Sequence, residues 1–232
     1  MANPLITIDI VSDVVCPWCI IGYKQLLKAI SELSSETGNS IDTAITWHPF
    51  ELNPDMPQGG ENLRSHLAQK YGTTLEGSIA ARKRLTELGE SLGFTFSYFD
   101  DMRMYNTRKA HKLLHWAKDQ KVNGEPVQTD LKMAMFSSFF TYKGVIDDEE
   151  TLLSLADSVG LDKELAKTVL DDREIDEQVK QSQNQWRRQG IQAVPAFIFN
   201  ERYLVSGAQD ADFFKEMLVK LSNEEASQEA LA

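Results

Sequence analysis

The chain carries only two cysteines, Cys16 and Cys19, and they lie between two segments of different periodicity. Upstream, Leu5–Val11 (LITIDIV) is dense in β-branched residues and reads as a buried strand. Downstream, Ile20, Tyr23, Leu26, Leu27 and Ile30 recur at spacings of three and four, the stripe of an amphipathic helix. Gly38 and Asn39 then mark a turn, and Ile41–Trp47 alternates as a second strand. Strand, helix and strand in this order form a βαβ unit with a parallel pair. No other feature of the chain constrains its fold as much.

The remaining sequence divides in two. Pro49, Pro54, Pro57, Gly59 and Gly60 make a loop, and from Asn62 to Gly190 the pattern is helical throughout. One stripe is Ala81, Leu85, Leu88 and Leu92; a second is Ala110, Leu113, Leu114 and Ala117, with Asn106 or Thr107 as its cap. Leu131, Met135, Phe139 and Tyr142 form a third, closed by Gly144, and Leu152, Leu155, Ala156 and Val159 a fourth behind an acidic start. Ile175, Val179 and Trp186 belong to the last. Ala196–Phe199 and Tyr203–Val205 read as a hairpin around Asn200-Glu201-Arg202, followed by a helix through Phe213, Phe214, Met217, Leu218 and Leu221. The order is therefore β-α-β, a helical block, then β-β-α. It predicts an α/β fold in which residues 1–60 and 191–222 build one mixed-sheet domain. Residues 61–190 form an all-helical inserted domain, and 223–232 a flexible tail.

Composition removes several classes of function. The net charge is −11, so a phosphate backbone is repelled on average and nucleic acid is not an expected partner. The cationic triplet Arg82-Lys83-Arg84 reads as a solvated helix face. No run of 18 apolar residues occurs, so no membrane association is expected, and the start lacks the layout of a secretory signal, so the expected location is cytoplasmic. The sequence leaves the oligomeric state open.

The cysteine spacing calls for a chemical explanation. A disulfide across three positions closes almost no loop and stabilises little. Thiol–disulfide exchange, by contrast, needs an attacking thiolate and a second sulfur close by. Cys16-Pro17-Trp18-Cys19 at the mouth of a helix provides both, because residues i and i+3 share a face. Cys16 is the expected nucleophile, its pKa lowered by the helix N-terminus, and Cys19 the resolving thiol. Pro17 fits the first helical turn, and Trp18 shapes the rim. The competing reading is half of a zinc site completed by histidines, for which His111 and His115 have a suitable spacing; it is disfavoured by their distance in sequence, and no metal is expected.

These segments resemble the thioredoxin superfamily, and more narrowly the DsbA-like FrnE family. The matching stretches are DVVCPWCIIG at Asp13–Gly22, YNTRKAHKLL at Tyr105–Leu114, GIQAVPAFIF at Gly190–Phe199 and SGAQ at Ser206–Gln209. The resemblance implies a thioredoxin-like fold (βαβ…ββα) with an all-helical insertion. It also implies a cis Val194–Pro195 bond facing Cys16, with the Val194 backbone open to an extended substrate; without the resemblance, Pro195 reads first as a strand-start proline. Ser206, Gly207 and Gln209 become candidates for an anion or glutathione site, against a reading as simple capping of the last helix by Ser206 or Asp210. Asn106 and His111 match family positions and become candidates for lining the cleft above Cys16.

The function implied is a thiol–disulfide oxidoreductase: a reductase or isomerase acting on disulfide-containing proteins or small thiols. No tightly bound cofactor is expected, with glutathione as a candidate co-substrate. Two alternatives stand beside it. One is a glutathione-dependent isomerase or transferase of the 2-hydroxychromene-2-carboxylate isomerase and kappa-class type, whose members carry serine at the Cys16 position. The other is a chaperone or adaptor with a redox- or zinc-linked switch.

Overall fold

The computed structural model describes residues 5–38 and 40–229. Residues 1–4, Asn39 of the first turn and the last three residues of the tail lie outside the described residues.

Strand β1 (Leu5–Ser12) leads into helix α1 (Pro17–Thr37) and strand β2 (Asp42–Pro49). β1 and β2 are parallel, with Ile8 opposite Ile45 and Ile10 opposite Trp47. The chain returns to this sheet through β7 (Ala196–Phe199) and β8 (Tyr203–Ser206), both antiparallel to their neighbours, giving the order β2-β1-β7-β8. At the hairpin, a three-residue loop, Asn200 and Glu201 both have positive φ and the Arg202 N–H donates to the Phe199 carbonyl. Asn200 locks onto β1: its N–H donates to the Thr7 carbonyl, and its Oδ1 accepts the Thr7 N–H.

Helix α1 packs against the last helix, α9 (Ala211–Glu229). Gly22 allows α1 to sit close to the sheet, because a Cβ there would lie 3.0 Å from Phe197 Cζ. Phe197 and Phe199 both pack on Phe214 of α9. The tail expectation needs correction. α9 continues through Asn223 to Glu229, and the Tyr203 hydroxyl donates to the Glu224 carboxylate at 2.9–3.0 Å, an anchor that composition does not reveal.

Between β2 and β7 the chain forms α2 (Leu63–Tyr71), α3 (Leu75–Ser91), α4 (Arg108–Ala117), α5 (Gln128–Phe140), α6 (Glu149–Ser158), α7 (Lys163–Asp171) and α8 (Arg173–Arg188). The block is not purely helical. Glu61–Asn62 pairs with Arg103–Met104, and Lys121–Val122 with Glu125–Pro126, in two short ladders at helix connections (β3–β4 and β5–β6). Two-residue strands leave no periodicity to read. Asp148, Asp162 and Asp172 cap α6, α7 and α8 with their carboxylates. Thr107 occupies the cap position of α4 without a side-chain bond, while Asn106 Oδ1 accepts the Arg108 N–H. α5 stops at Phe140, and Lys143 rather than Gly144 takes the left-handed conformation after it. Tyr142 therefore leaves the expected stripe and is 77% exposed.

The helical block shares a core with the sheet. A continuous cluster runs from Ile8 and Leu26 through Trp47 to Leu113, Met135 and Phe136. β2 is an edge strand, and Gln128 at the start of α5 supplies what a neighbouring strand would. Its Oε1 accepts the Trp47 N–H and its Nε2 donates to the Trp47 carbonyl, each at 2.9 Å. Among the described residues, no helix is long and apolar enough to cross a membrane.

Candidate active site

β1 ends at Ser12, and Asp13-Val14-Val15 turns the chain so that Cys16 lands on the N-cap of α1 with Pro17 at N1. The Cys16 N–H donates to the Asp13 carbonyl, and the Cys19 N–H to the Cys16 carbonyl. The two sulfurs lie 3.3 Å apart and unbonded. Cys19 is fully buried, Cys16 has a small exposed surface (4%), and Trp18 stands 40% exposed beside them.

Opposite Cys16 lies a segment 178 positions away in sequence. Val194–Pro195 is a cis bond, and the Cys16 thiol points at the Val194 carbonyl at 3.7 Å. Val194 is half-buried, with Ala193 exposed next to it. Ser206, Gly207 and Gln209 run alongside: the Gly207 N–H donates to the Pro195 carbonyl at 2.8 Å, and Gly207 holds a φ of +80° that favours glycine. Their polar groups are engaged locally. Gln209 Nε2 donates to the Ser206 carbonyl, and Asp210, not Ser206, accepts the Phe213 N–H at the start of α9.

A second group of residues meets the thiols from inside the protein. Asp13, fully buried, accepts the Leu52 N–H at 2.8 Å and faces His111 Nε2 at 3.2 Å. Lys132 of α5 is also fully buried. Its ammonium has no hydrogen-bond partner among the described residues and lies over the rings of Trp47 and Phe136, 5.2 and 4.9 Å from their centres. Burial pulls Lys132 down to about 8, against the attraction of Cys19, Asp13 and Cys16. For Asp13, burial pushes upward, but the His111 hydrogen bond and charge, the Leu52 N–H and the Lys132 charge hold the carboxyl below its ordinary value.

The thiols titrate as a pair. Cys16 is raised, first by its hydrogen bond to Cys19, then by burial and by the charge that Cys19 carries. Burial opposes ionisation of Cys19 too, but the Cys16 thiol, the Ser12 hydroxyl and the Lys132 charge outweigh it and bring Cys19 down. The expectation of a lowered Cys16 is thus corrected for this dithiol. Of the two, the inward Cys19 is the one eased toward the thiolate, because Lys132 and Ser12 act on it.

Asn106 is engaged elsewhere. Its Nδ2 donates to the carbonyls of Pro54 and Met56. His111 is buried on Asp13, whereas His115 meets Gln178 Oε1, so the two histidines do not converge on a common point. Among the described residues, no group of three or more His, Cys, Asp or Glu side chains is placed to hold a metal. Sequence reasoning missed Ser12 and Lys132 and gave Asp13 no role. Lys132 left a signal: with Phe136, Phe139 and Phe140 it falls at helical spacings of four, seven and eight on an apolar face.

A family description, the DSBA-like thioredoxin domain, matches residues 7–219. An uncharacterized protein of Bacillus subtilis, YwbO, is 26% identical over 212 residues, covering 91% of this chain and 94% of its own. The crystal structure of a probable DsbA oxidoreductase from Streptomyces coelicolor superposes with a TM-score of 0.81 at 28% identity, over 93% of this chain and 89% of that one. The cytosolic disulfide reductase DsbM of Pseudomonas aeruginosa shares the fold, with a TM-score of 0.58 at 16% identity, over 97% of this chain and 100% of that one.

Proposed function

The chain belongs to the DSBA-like thioredoxin domain family, and from that premise we propose that it is a FrnE-type thiol–disulfide oxidoreductase, a reductase or isomerase working through Cys16 and Cys19. The observation that carries the reading is the pair of free sulfurs 3.3 Å apart on the first turn of α1, facing the Val194 carbonyl.

Cys16 is the nucleophile because it is the cysteine that keeps some exposed surface, whereas Cys19 has none. It becomes a thiolate by passing its proton across the short sulfur–sulfur contact to Cys19, and the α1 N-terminus stabilises the charge where it is needed. The Cys16 thiolate attacks one sulfur of the substrate disulfide. A mixed disulfide forms, and the other substrate sulfur leaves as a thiolate that takes a proton from solvent. Cys19 then gives its proton to solvent, with the Lys132 charge stabilising the anion, and attacks Cys16, whose bond to the substrate sulfur breaks. The second substrate thiol is released, and the protein retains a Cys16–Cys19 disulfide. Two electrons have passed from the dithiol to the substrate. Two molecules of a small thiol such as glutathione return them by the reverse sequence and leave as their own disulfide. A DsbM structure with GSH supports that choice of co-substrate, and Ser206–Gln209, which runs beside Pro195, is its proposed contact. Val194 and Ala193 are the proposed edge for an extended protein substrate. With no cysteine outside the pair, the chain suits a reducing compartment, and we place its work in the cytoplasm.

The test is equilibration in graded glutathione buffers followed by thiol trapping. A reversible Cys16–Cys19 disulfide with a potential between roughly −120 and −270 mV is expected. Cys16→Ser abolishes turnover, while Cys19→Ser accumulates the mixed disulfide on Cys16. Thiols that never pair, or turnover that survives Cys16→Ser, would sink the proposal.

A further inference from the structure

The cationic triplet on α3 is not uniformly solvated. Lys83 and Arg84 are exposed, but Nε and Nη2 of Arg82 are buried and have no hydrogen-bond partner among the described residues. The guanidinium lies 5.5 Å from the centre of the Tyr98 ring, which stacks in turn on Phe96. One turn earlier on the same helix face, Ser78 is 4% exposed and its hydroxyl is likewise unpartnered. Both groups border a cavity of about 180 Å³ with otherwise mainly apolar walls, among them Leu63, Leu85 and Phe139. Val15 and Pro17, the residues on either side of Cys16, close it on the thiol side.

Unpaired guanidinium donors are costly in such a setting, because each N–H has left water without gaining an acceptor. Burial weakens the hold of Arg82 on its proton, and the neighbouring Arg64 charge adds to this. The nearby acid that could compensate, Asp100, is already bound to Arg64 at 2.7 Å. The cavity wall thus carries one guanidinium, that of Arg82, and no carboxylate. A guanidinium edge matches a carboxylate in two parallel hydrogen bonds. The apolar volume sets the rest of the ligand, since a cavity of about 150 Å³ with aliphatic and aromatic walls takes up benzene.

We propose that this cavity is a binding site for a small apolar carboxylate, a single ring or a branched alkyl chain in size, with its carboxylate on the Arg82 guanidinium and the Ser78 hydroxyl. The bound acid packs on Pro17 and so lies beside Cys16. Its binding does not require the thiols to be redox-active.

Benzoate titrated calorimetrically into the full chain tests the site, with benzamide as the neutral isostere. Saturable benzoate binding is expected, with benzamide weaker by about tenfold or more, as loss of a charge-assisted hydrogen bond implies. Arg82→Met removes the preference for benzoate and leaves benzamide binding unchanged, which also reports that the cavity has kept its shape. Ala81→Phe, at the exposed rim of the cavity, blocks both ligands with Arg82 in place. The double variant Cys16→Ser/Cys19→Ser binds benzoate as the unaltered chain does, so failure of the thiol chemistry and failure of this site are read separately. No saturation by benzoate, equal binding of benzoate and benzamide, or undiminished benzoate binding by Arg82→Met overturns the proposal.

Discussion

The thiol pair has two sides built in different ways. The outer side comes from the four-stranded unit: Cys16 on the first turn of α1, the Val194 carbonyl and the Gly207–Pro195 contact. Backbone dominates there, and its groups are held by sheet register and helix geometry. The inner side adds buried ionisable side chains: Asp13 from the β1–α1 turn, His111 from α4 and Lys132 from α5. These side chains are fully or almost fully buried, and two of the three come from the helical block. The contrast separates reaction from tuning. An outer side of backbone groups leaves the choice of substrate open, whereas buried charges at short range shift the two thiols in opposite directions.

Breaking the inner side at His111 has the largest expected effect. His111→Leu leaves the Asp13 carboxylate buried without its main partner and costs about 3 kcal/mol of stability at neutral pH. The sign with pH follows from the lowered Asp13 value. The stabilisation is fully present above the ordinary carboxyl range and is lost as pH falls through the folded value. Urea unfolding at pH 7 and pH 3 should therefore show a large deficit that shrinks in acid; equal deficits at both would mean that His111 acts by packing alone.

Lys132→Met sharpens the comparison by moving stability and reactivity in opposite directions. The folded value of about 8 lies below the ordinary 10.5, so a charged Lys132 costs about 3 kcal/mol below pH 8, and that cost fades as pH rises through 10.5. The variant should be more stable at pH 7 by about that amount, with little gain at pH 10.5. The lost cation also raises the first ionisation of the thiol pair, and alkylation at pH 7 should slow by about tenfold for each unit of that rise. A stability gain independent of pH would contradict this assignment. The smallest effect belongs to Asn106→Ala, which frees two carbonyls in the loop after β2. It should cost about 1 kcal/mol and leave the rate of thiol alkylation unchanged; a slower rate would place Asn106 among the groups that act on the thiols.

Legibility in the sequence followed the range of each interaction. The βαβ unit, the hairpin and the CPWC turn were readable because strand alternation, helical stripes and a helix start are set by residues within a few positions of one another. The two-residue ladders lacked the length to show a period, and the end of α5 was misplaced because Lys143, not a glycine, adopts the left-handed turn. Arg82 looked like its exposed neighbours because nothing local announces a ring at Tyr98 or a cavity behind it.

By itself, the sequence determined the order of elements, the two sulfurs on one helical turn and, through its resemblance, the proline opposite them. The tertiary structure alone decided the opposite directions in which the two thiols are shifted. That depends on Lys132 and Ser12 against Cys19, and on the proximity of the two thiols, with the Asp13–His111 hydrogen bond beside them. Electrostatic energy in a dry interior varies with separation in space, and Lys132 acts on Cys19 from α5, which packs against the edge strand through Gln128 and Trp47.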